Sequence, residues 1–127
     1  MLAELNLIAS ERFFVARRRT GMGQQEFAQQ VGMDFKRYRE LETDSLPRRV
    51  RRQVCDSVDV PEIDDLQDDE IIAILRRRLT WGIAEAAEHF NVSKSTWVLI
   101  ESGGRATIKW AQTIIPEMLE LVDGAAN

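Results

Sequence analysis

The chain has 127 residues, of which 44% are hydrophobic and 30% are charged, and its net charge is −4, so we expect one globular domain or two small ones. The single cysteine, Cys55, and the single histidine, His89, exclude an internal disulfide and a structural zinc site built from these residue types. No apolar run reaches the roughly 18 residues of a membrane span, and residues 1–4 carry no basic region, so we expect neither a signal peptide nor a membrane helix, and a reducing, cytoplasmic setting.

The first predicted helix contains Phe13, Phe14 and Val15 and ends by Thr20. Its last turn carries three consecutive arginines, residues 17–19. Basic side chains at this end of a helix interact favourably with the helix dipole, which is the simplest explanation for their position.

Two short helices are predicted next, over residues 24–31 and 35–42. Gly32 separates them, and glycine adopts the left-handed backbone of a helix end without steric cost. Asp34 is predicted to cap the second helix through its carboxylate. The pattern is that of two helices joined by a tight turn.

The helix over 35–42 has one apolar and one basic side. Tyr38 and Leu41 are three residues apart and share a face, so we expect them to be buried. Their predicted contacts are Phe27, Val31 and Met33. The side chains predicted to face solvent are Lys36, Arg37, Arg39 and Glu40.

A further helix is predicted to begin at Pro47, which favours the first helical position. Val50, Val54 and Val58 recur every four residues and are expected to form its buried stripe. The remaining positions include Arg48, Arg49, Arg51 and Arg52. These arginines form either a solvated basic surface or a set of phosphate anchors beside the preceding helix.

Acidic residues are concentrated between residues 59 and 70, where Pro61 also lies. The segment is predicted to be a linker that runs into the acidic first turn of the next helix. Residues 1–60 carry 11 basic and 9 acidic side chains, a net +2, whereas residues 61–127 carry 6 and 12, a net −6. A basic surface can therefore coexist with an acidic total, because local charge governs contact with phosphate.

The residues after the linker repeat the first half of the chain at a constant offset of 59. The aligned pairs include residues 17–19 with 76–78, Gly23 with Gly82, Glu26 with Glu85, Ala28 with Ala87, Tyr38 with Trp97 and Glu42 with Glu101. Asn91 replaces Gly32 in the turn, and Ser93 replaces Asp34 as the cap. A fixed offset over this length indicates an internal repeat, and it predicts two domains, residues 1–60 and 61–127.

The last predicted helical segment, residues 107–122, is interrupted by Pro116, so we expect a kinked helix or two short ones. Its heptad-like apolar positions are Ile108, Ala111, Ile115, Met118 and Val122. Trp110 and Ile114 fall on a different side. The heptad-like stripe belongs either to the core or to a homodimer interface.

Residues 24–33, with Tyr38, Leu41 and Glu42, resemble the phage-repressor-like (Cro/Xre) helix-turn-helix family. Residues 86–103 resemble the same family. The resemblance implies an all-α fold of two tandem lambda-repressor-like helix-turn-helix bundles with four to five helices each. It also implies a bacterial or phage transcriptional regulator that binds double-stranded DNA by placing the helix at residues 35–42 in the major groove.

The resemblance also implies which residues contact DNA. Gln24 would contact phosphate, Arg37 and Thr43 would lie near the backbone, and Arg39 could bond guanine. The candidates in the first copy are Gln24, Gln25, Phe35, Lys36, Arg37, Arg39, Glu40, Thr43 and Arg48. The candidates in the second copy are Ser93, Lys94, Ser95, Thr96 and Arg105.

The second copy is less suited to DNA than the first. Ile83 occupies the position of Gln24 and cannot bond phosphate, and Val98 and Leu99 occupy base-facing positions. Exposed apolar residues more often cover a protein partner, so Val98, Leu99 and Trp110 are candidates for protein contact. The second copy therefore either touches DNA or serves packing or protein contact.

The assembly on DNA has two alternatives. The linker of roughly ten residues would span about 33 Å when extended, close to one turn of DNA, the usual half-site spacing. One chain could act as a pseudo-dimer, or two chains could form a homodimer.

The rival function is a protein-binding regulator, anti-activator or antitoxin-like, that uses the same fold as an interaction module. RNA binding is less favoured, because few aromatic residues are predicted to be exposed for base stacking. The sequence contains no pairing of nucleophile and base and no phosphate-binding loop, so we expect neither enzymatic activity nor a cofactor.

Overall fold

The computed structural model describes residues 5–126, and this part of the chain is all-α, with eight helices and no strand. The segment at residues 1–4, for which no signal peptide is expected, lies outside it. None of the described helices is both long and apolar enough to cross a membrane. The chain divides into two compact units, Met1–Asp64 (unit 1) and Asp65–Asn127 (unit 2), slightly beyond the predicted boundary at residue 60.

Each unit contains four helices within the described residues. The helices of unit 1 are α1 (Ala9–Thr20), α2 (Gln24–Gln30), α3 (Phe35–Glu42) and α4 (Arg48–Ser57). The helices of unit 2 are α5 (Asp68–Arg78), α6 (Ile83–His89), α7 (Lys94–Ile100) and α8 (Arg105–Ala126). The bounds of α6 are those of α2 moved by the repeat offset, so the sequence repeat is also a structural one.

The turns repeat as well as the helices. Left-handed backbone occurs at Gly21, Gly32 and Asp44 in unit 1, with φ of 75°, 76° and 58°. The aligned residues Thr80, Asn91 and Gly103 have φ of 58°, 57° and 86°. The predicted left-handed turns at Gly32 and Asn91 are confirmed.

The predicted helix caps are also present. The Asp34 carboxylate accepts a hydrogen bond from the Arg37 N–H at 3.1 Å. The Ser93 hydroxyl accepts one from the Thr96 N–H, also at 3.1 Å. Each cap satisfies one of the N–H groups that a helix leaves unpaired in its first turn.

The core of unit 1 brings α1, α2 and α3 together around Tyr38. Tyr38 and Leu41 are fully buried, as predicted. The other buried members of this cluster are Phe13, Phe27, Ala28 and Leu46. The predicted valine stripe of α4 packs against the cluster but is only partly buried. Pro47 occupies the N-cap position of α4, one residue before the helix begins at Arg48 and not the predicted first helical position, and makes no side-chain capping bond.

The core of unit 2 lies where α8 packs on α5 and α7. Five consecutive residues of α5, Ile71 to Leu75, are buried. Of the two alternatives predicted for this segment, a kinked helix or two short ones, the second is wrong: α8 is a single helix with Pro116 inside it. Proline removes one backbone hydrogen bond, and burial of Ala111, Ile114, Ile115 and Met118 on both sides of Pro116 offsets that loss.

Two apolar residues of α8 depart from the predicted stripe. Ile108 is 76% exposed, so it belongs neither to the core nor to a stripe continuous with Met118. Ile114, predicted to lie on a different side, is fully buried. The buried face of α8 thus excludes Ile108 and consists of Thr107, Ala111, Ile114, Ile115 and Met118.

Candidate nucleic-acid interface

One buried carboxylate ties the first three helices of unit 1 together. Arg17 of α1 donates to Glu42 at the end of α3 through two parallel bonds, Nη2 to Oε1 at 2.7 Å and Nε to Oε2 at 2.8 Å. Gln24, the first residue of α2, donates to Oε1 at 3.1 Å. The Tyr38 hydroxyl donates to Oε2. Bidentate arginine–carboxylate pairing fixes geometry as well as energy, so α3 is held firmly against α1 and α2.

The environment of this carboxylate shifts three pKa values. Burial alone would raise the pKa of Glu42, but the hydrogen bonds from Arg17 and Tyr38 and the charge of Arg17 outweigh burial and lower it. The hydrogen bond to Glu42 raises the pKa of Arg17. Burial, followed by the hydrogen bond to Glu42, raises the pKa of Tyr38. At neutral pH the pair is therefore ionised and the phenol is neutral.

Unit 2 repeats this arrangement with one loss. Arg76 donates to Glu101, Nε to Oε2 at 2.6 Å and Nη2 to Oε1 at 3.2 Å. The indole N–H of Trp97 donates to Oε2, in the place of the Tyr38 hydroxyl. Ile83 replaces Gln24 and has no amide to donate.

Sequence reasoning missed these ion pairs. It explained the arginines of both copies by a favourable interaction with the helix dipole. In the structure, Arg17 and Arg76 each form an ion pair with a glutamate of another helix or just after it. The signal was present: the pair Arg17 and Glu42 recurs as Arg76 and Glu101 at the same spacing of 25 residues. A polar pair that recurs among apolar core positions indicates a buried contact.

The outward side of α3 is basic. Lys36, Arg37 and Arg39 are exposed, and Glu40 is partly buried. The Arg39 guanidinium lies over the ring of Phe35, which is 37% exposed, with 5.4 Å between its carbon and the ring centroid. Such a cation–π contact restricts where the arginine can point.

Polar residues flank this surface at both ends. Gln25 of α2 is exposed, and so is Thr43 directly after α3, where its hydroxyl donates to the Arg39 carbonyl at 2.7 Å. Arg48 at the start of α4 is exposed and makes no ion pair with the described residues. The candidates in unit 1 thus fall on α2, α3 and the start of α4.

The corresponding surface of unit 2 differs in chemistry. Lys94 and Ser95 are exposed, Ser93 is occupied as a cap, and Thr96 is partly buried. Arg105 is exposed at the start of α8. Of the candidates for protein contact, Val98 and Leu99 are 52% and 56% exposed, whereas Trp110 is partly buried.

The exposed apolar side chains of unit 2 align with polar positions of unit 1. Ile83, Val98, Leu99 and Ile108 are all exposed. The repeat offset aligns them with Gln24, Arg39, Glu40 and Arg49. Four changes in one direction alter the character of the surface, from hydrogen-bonding to apolar. The sequence indicates three of these positions and not Ile108, which it places in a stripe that belongs either to the core or to a homodimer interface.

His89 takes part in a local contact of unit 2. Its Nε2 lies 2.6 Å from Oε2 of Glu117, and its ring lies against Trp81 and Phe90.

Within residues 5–126, no group of His, Cys, Asp and Glu side chains is arranged to hold a metal ion. Comparison of the chain with protein-family models, curated proteins and solved structures found no match.

Proposed function

We propose that the chain is a sequence-specific DNA-binding transcriptional regulator, bacterial or phage, built from tandem helix-turn-helix units in the manner of the Cro/Xre family. Unit 1 supplies most of the specificity, with α3 as the recognition helix in the major groove. The regulator needs no cofactor and acts in the cytoplasm.

The observation that carries the proposal is the pairing of a fixed helix with an exposed basic surface. Side chains on α1 and α2 hold α3 through Glu42, and α3 turns Lys36, Arg37 and Arg39 outwards. A recognition helix needs both properties, because base readout depends on accurate placement and phosphate contact depends on positive charge.

Each exposed residue has a role in this proposal. Arg39, with Lys36, bonds acceptors on base edges, and Phe35 both orients Arg39 and contacts a thymine methyl. Arg37, Thr43 and Arg48 contact phosphates, and Gln24 and Gln25 position the start of α2 on the backbone. Glu40 accepts from cytosine.

The first experiment is selection from random duplex DNA at two salt concentrations, followed by titration of the enriched sequence. Arg39→Ala is expected to weaken specific binding by about 1–3 kcal/mol and to relax the sequence preference at one position. Lys109→Ala is the matched control, because it removes the same charge from an exposed site on α8.

Three results would contradict the proposal. The first is the absence of any enriched sequence at either salt concentration. The second is an Arg39→Ala protein whose affinity and sequence preference equal those of the parent chain. The third is equal weakening by Arg39→Ala and Lys109→Ala, which would indicate non-specific attraction alone.

The second candidate function is protein binding through unit 2, in the manner of an anti-activator or an antitoxin. The exposed apolar side chains of Val98 and Leu99 favour it, because such pairs more often cover a partner than read bases. The two functions are compatible if unit 1 binds DNA and unit 2 binds protein.

A further inference from the structure

Unit 1 contains a cleft that shares one lining residue, Arg48, with the proposed DNA contact. It has a volume of about 550 Å³ and lies between the start of α1, the residue Asp44 after α3, and α4. Its lining residues are Ile8, Ala9, Ser10, Asp44, Arg48, Arg51, Arg52 and Cys55. The volume falls within the range of pockets that hold small organic molecules.

The cleft carries unneutralised positive charge. Arg51 forms an ion pair with Asp44, with 2.6 Å between Nη1 and Oδ1. Arg48 and Arg52 are one helical turn apart, and their side chains make no ion pair or hydrogen bond within the described part of the chain. Burial raises the pKa of the Cys55 thiol, against the opposing effect of Arg51, so the thiol adds no negative charge at neutral pH. Two guanidinium groups are therefore available to an anion.

The wall opposite α4 offers neutral donors. Ile8 precedes α1 and cannot cap it, so the first N–H groups of this 12-residue helix have no side-chain acceptor from that position. Ser10 is only 2% exposed, it lines the cleft, and its hydroxyl has no hydrogen-bond partner among residues 5–126. The Glu11 carboxylate accepts from the Ile8 N–H and is not part of the lining.

We propose that this cleft binds the phosphate group of a small organic molecule. The two unpaired arginines would hold the phosphate oxygens, and the Ser10 hydroxyl and the start of α1 would donate to them from the other side. Guanidinium groups suit phosphate because they donate in a planar fork, and helix N-termini favour anions. The room left beyond a phosphate ion, next to Ile8 and Ala9, suits the organic part of the ligand.

A DNA backbone phosphate shares this chemistry and is the other source of the group. The test is calorimetric titration of the full chain with adenosine monophosphate and, separately, with inorganic phosphate, beside titration with the selected duplex. Arg52→Gln is expected to lower affinity for the monophosphate about tenfold or more, as loss of a charge-assisted contact predicts. Arg49→Gln is the control, because Arg49 is exposed on the same helix and does not line the cleft.

Each outcome decides the question. If Arg52→Gln lowers affinity for adenosine monophosphate, Arg49→Gln does not, and duplex binding is preserved, the result supports a free phosphorylated ligand. No binding of either small anion, with duplex binding weakened by Arg52→Gln and not by Arg49→Gln, assigns the cleft to a backbone phosphate. Equal loss with both variants, or no effect of Arg52→Gln on any probe, overturns the proposal.

Ser10→Ala provides a second variant that leaves every charge in place. It is expected to weaken binding of the monophosphate about tenfold, as loss of one hydrogen bond to an ionised phosphate predicts. Far-UV circular dichroism checks that each variant is folded. Because the titration with small anions does not involve DNA, failure of the cleft proposal and failure of the DNA-binding proposal give different results.

Discussion

Among individual residues, Glu42 receives hydrogen bonds from three helices: from Arg17 of α1, Gln24 of α2 and Tyr38 of α3. Burial of the Glu42 charge costs little free energy as long as all of these hydrogen-bond partners remain. Removal of one partner leaves charge without compensation in a place that water barely reaches. The arrangement therefore makes the orientation of α3 depend on ionisation of one side chain.

The first prediction concerns acid stability. The pKa of Glu42 is lowered in the folded state, below an unfolded value of about 4.3. Its contribution to the free energy of unfolding is therefore fully present above about pH 5 and is lost as pH falls through the folded pKa. Glu42→Gln should lower that free energy by about 3 kcal/mol at pH 7 and flatten its decline below pH 5. Urea denaturation at several pH values measures both effects.

The control for this prediction is Glu26→Gln, which removes an exposed carboxylate from α2. It should leave both the stability at neutral pH and the steepness of the acid decline close to those of the parent chain. If Glu42→Gln declined with pH as steeply as the parent chain, the carboxylate would not be the source of the acid sensitivity.

At the scale of helices, the two units use different residues for the same structural task. Asp34 and Ser93 both cap the third helix of their unit, and Gly32 and Asn91 both take the left-handed turn before it. The requirement at each position is a backbone conformation or a hydrogen-bond acceptor, not a particular residue. Because the requirement is not for a particular residue, α2 and α6 can have the same bounds after the offset of 59 although few of their residues match.

The second prediction tests this equivalence in unit 2. Ser93→Ala removes the acceptor for the Thr96 N–H and should lower the free energy of unfolding by about 1 kcal/mol. Ser93→Asp installs the capping residue of unit 1 and should preserve the free energy of unfolding. Tryptophan fluorescence reports unfolding of this unit, because the three tryptophans of the chain, Trp81, Trp97 and Trp110, all lie in unit 2. Equal loss with alanine and aspartate would show that the cap does not depend on an acceptor.

These helices also show how far sequence predicts this fold. The limits of α2 and α3, the left-handed turns and both caps follow from local chemistry, because they depend on residues at most a few positions apart. The contact of Arg17 with Glu42 and the burial of Ile114 do not, because they depend on which helices meet. Pro116 illustrates the limit: its local effect favours a break, and packing of α8 on α5 outweighs it.

The same distinction applies to the candidate interface. Exposure of Lys36, Arg37 and Arg39 follows from helical periodicity, and the structure agrees. The contact of Arg39 with Phe35 and the cleft at Arg52 could not be predicted, since each depends on side-chain direction or on packing between helices. Whether these residues contact DNA remains a prediction.

At the scale of the whole chain, the two units share a helix pattern and differ in the chemistry of one surface. The basic side chains of unit 1 line α3 and the start of α4, whereas the aligned positions of unit 2 include four exposed apolar residues. The net charge of −4 is therefore no argument against DNA binding, because the acidic residues lie mainly outside the basic surface of unit 1. Two copies with different surfaces are expected to have different partners.

The last prediction separates the units by matched charge reversals, Lys36→Glu on α3 and Lys94→Glu on α7. Both residues are exposed and lie within the first two positions of equivalent helices, so each variant changes the charge by the same amount at a similar place in its unit. Lys36→Glu should cost more than about 2 kcal/mol in binding to the selected duplex, and Lys94→Glu should cost less than about 1 kcal/mol. Equal losses, with two half-sites about 34 Å apart in the selected sequence, would instead mean that both units read DNA. If only unit 1 reads DNA, Leu99→Ser should leave duplex binding unchanged, because an apolar side chain at that position makes no hydrogen bond to a base.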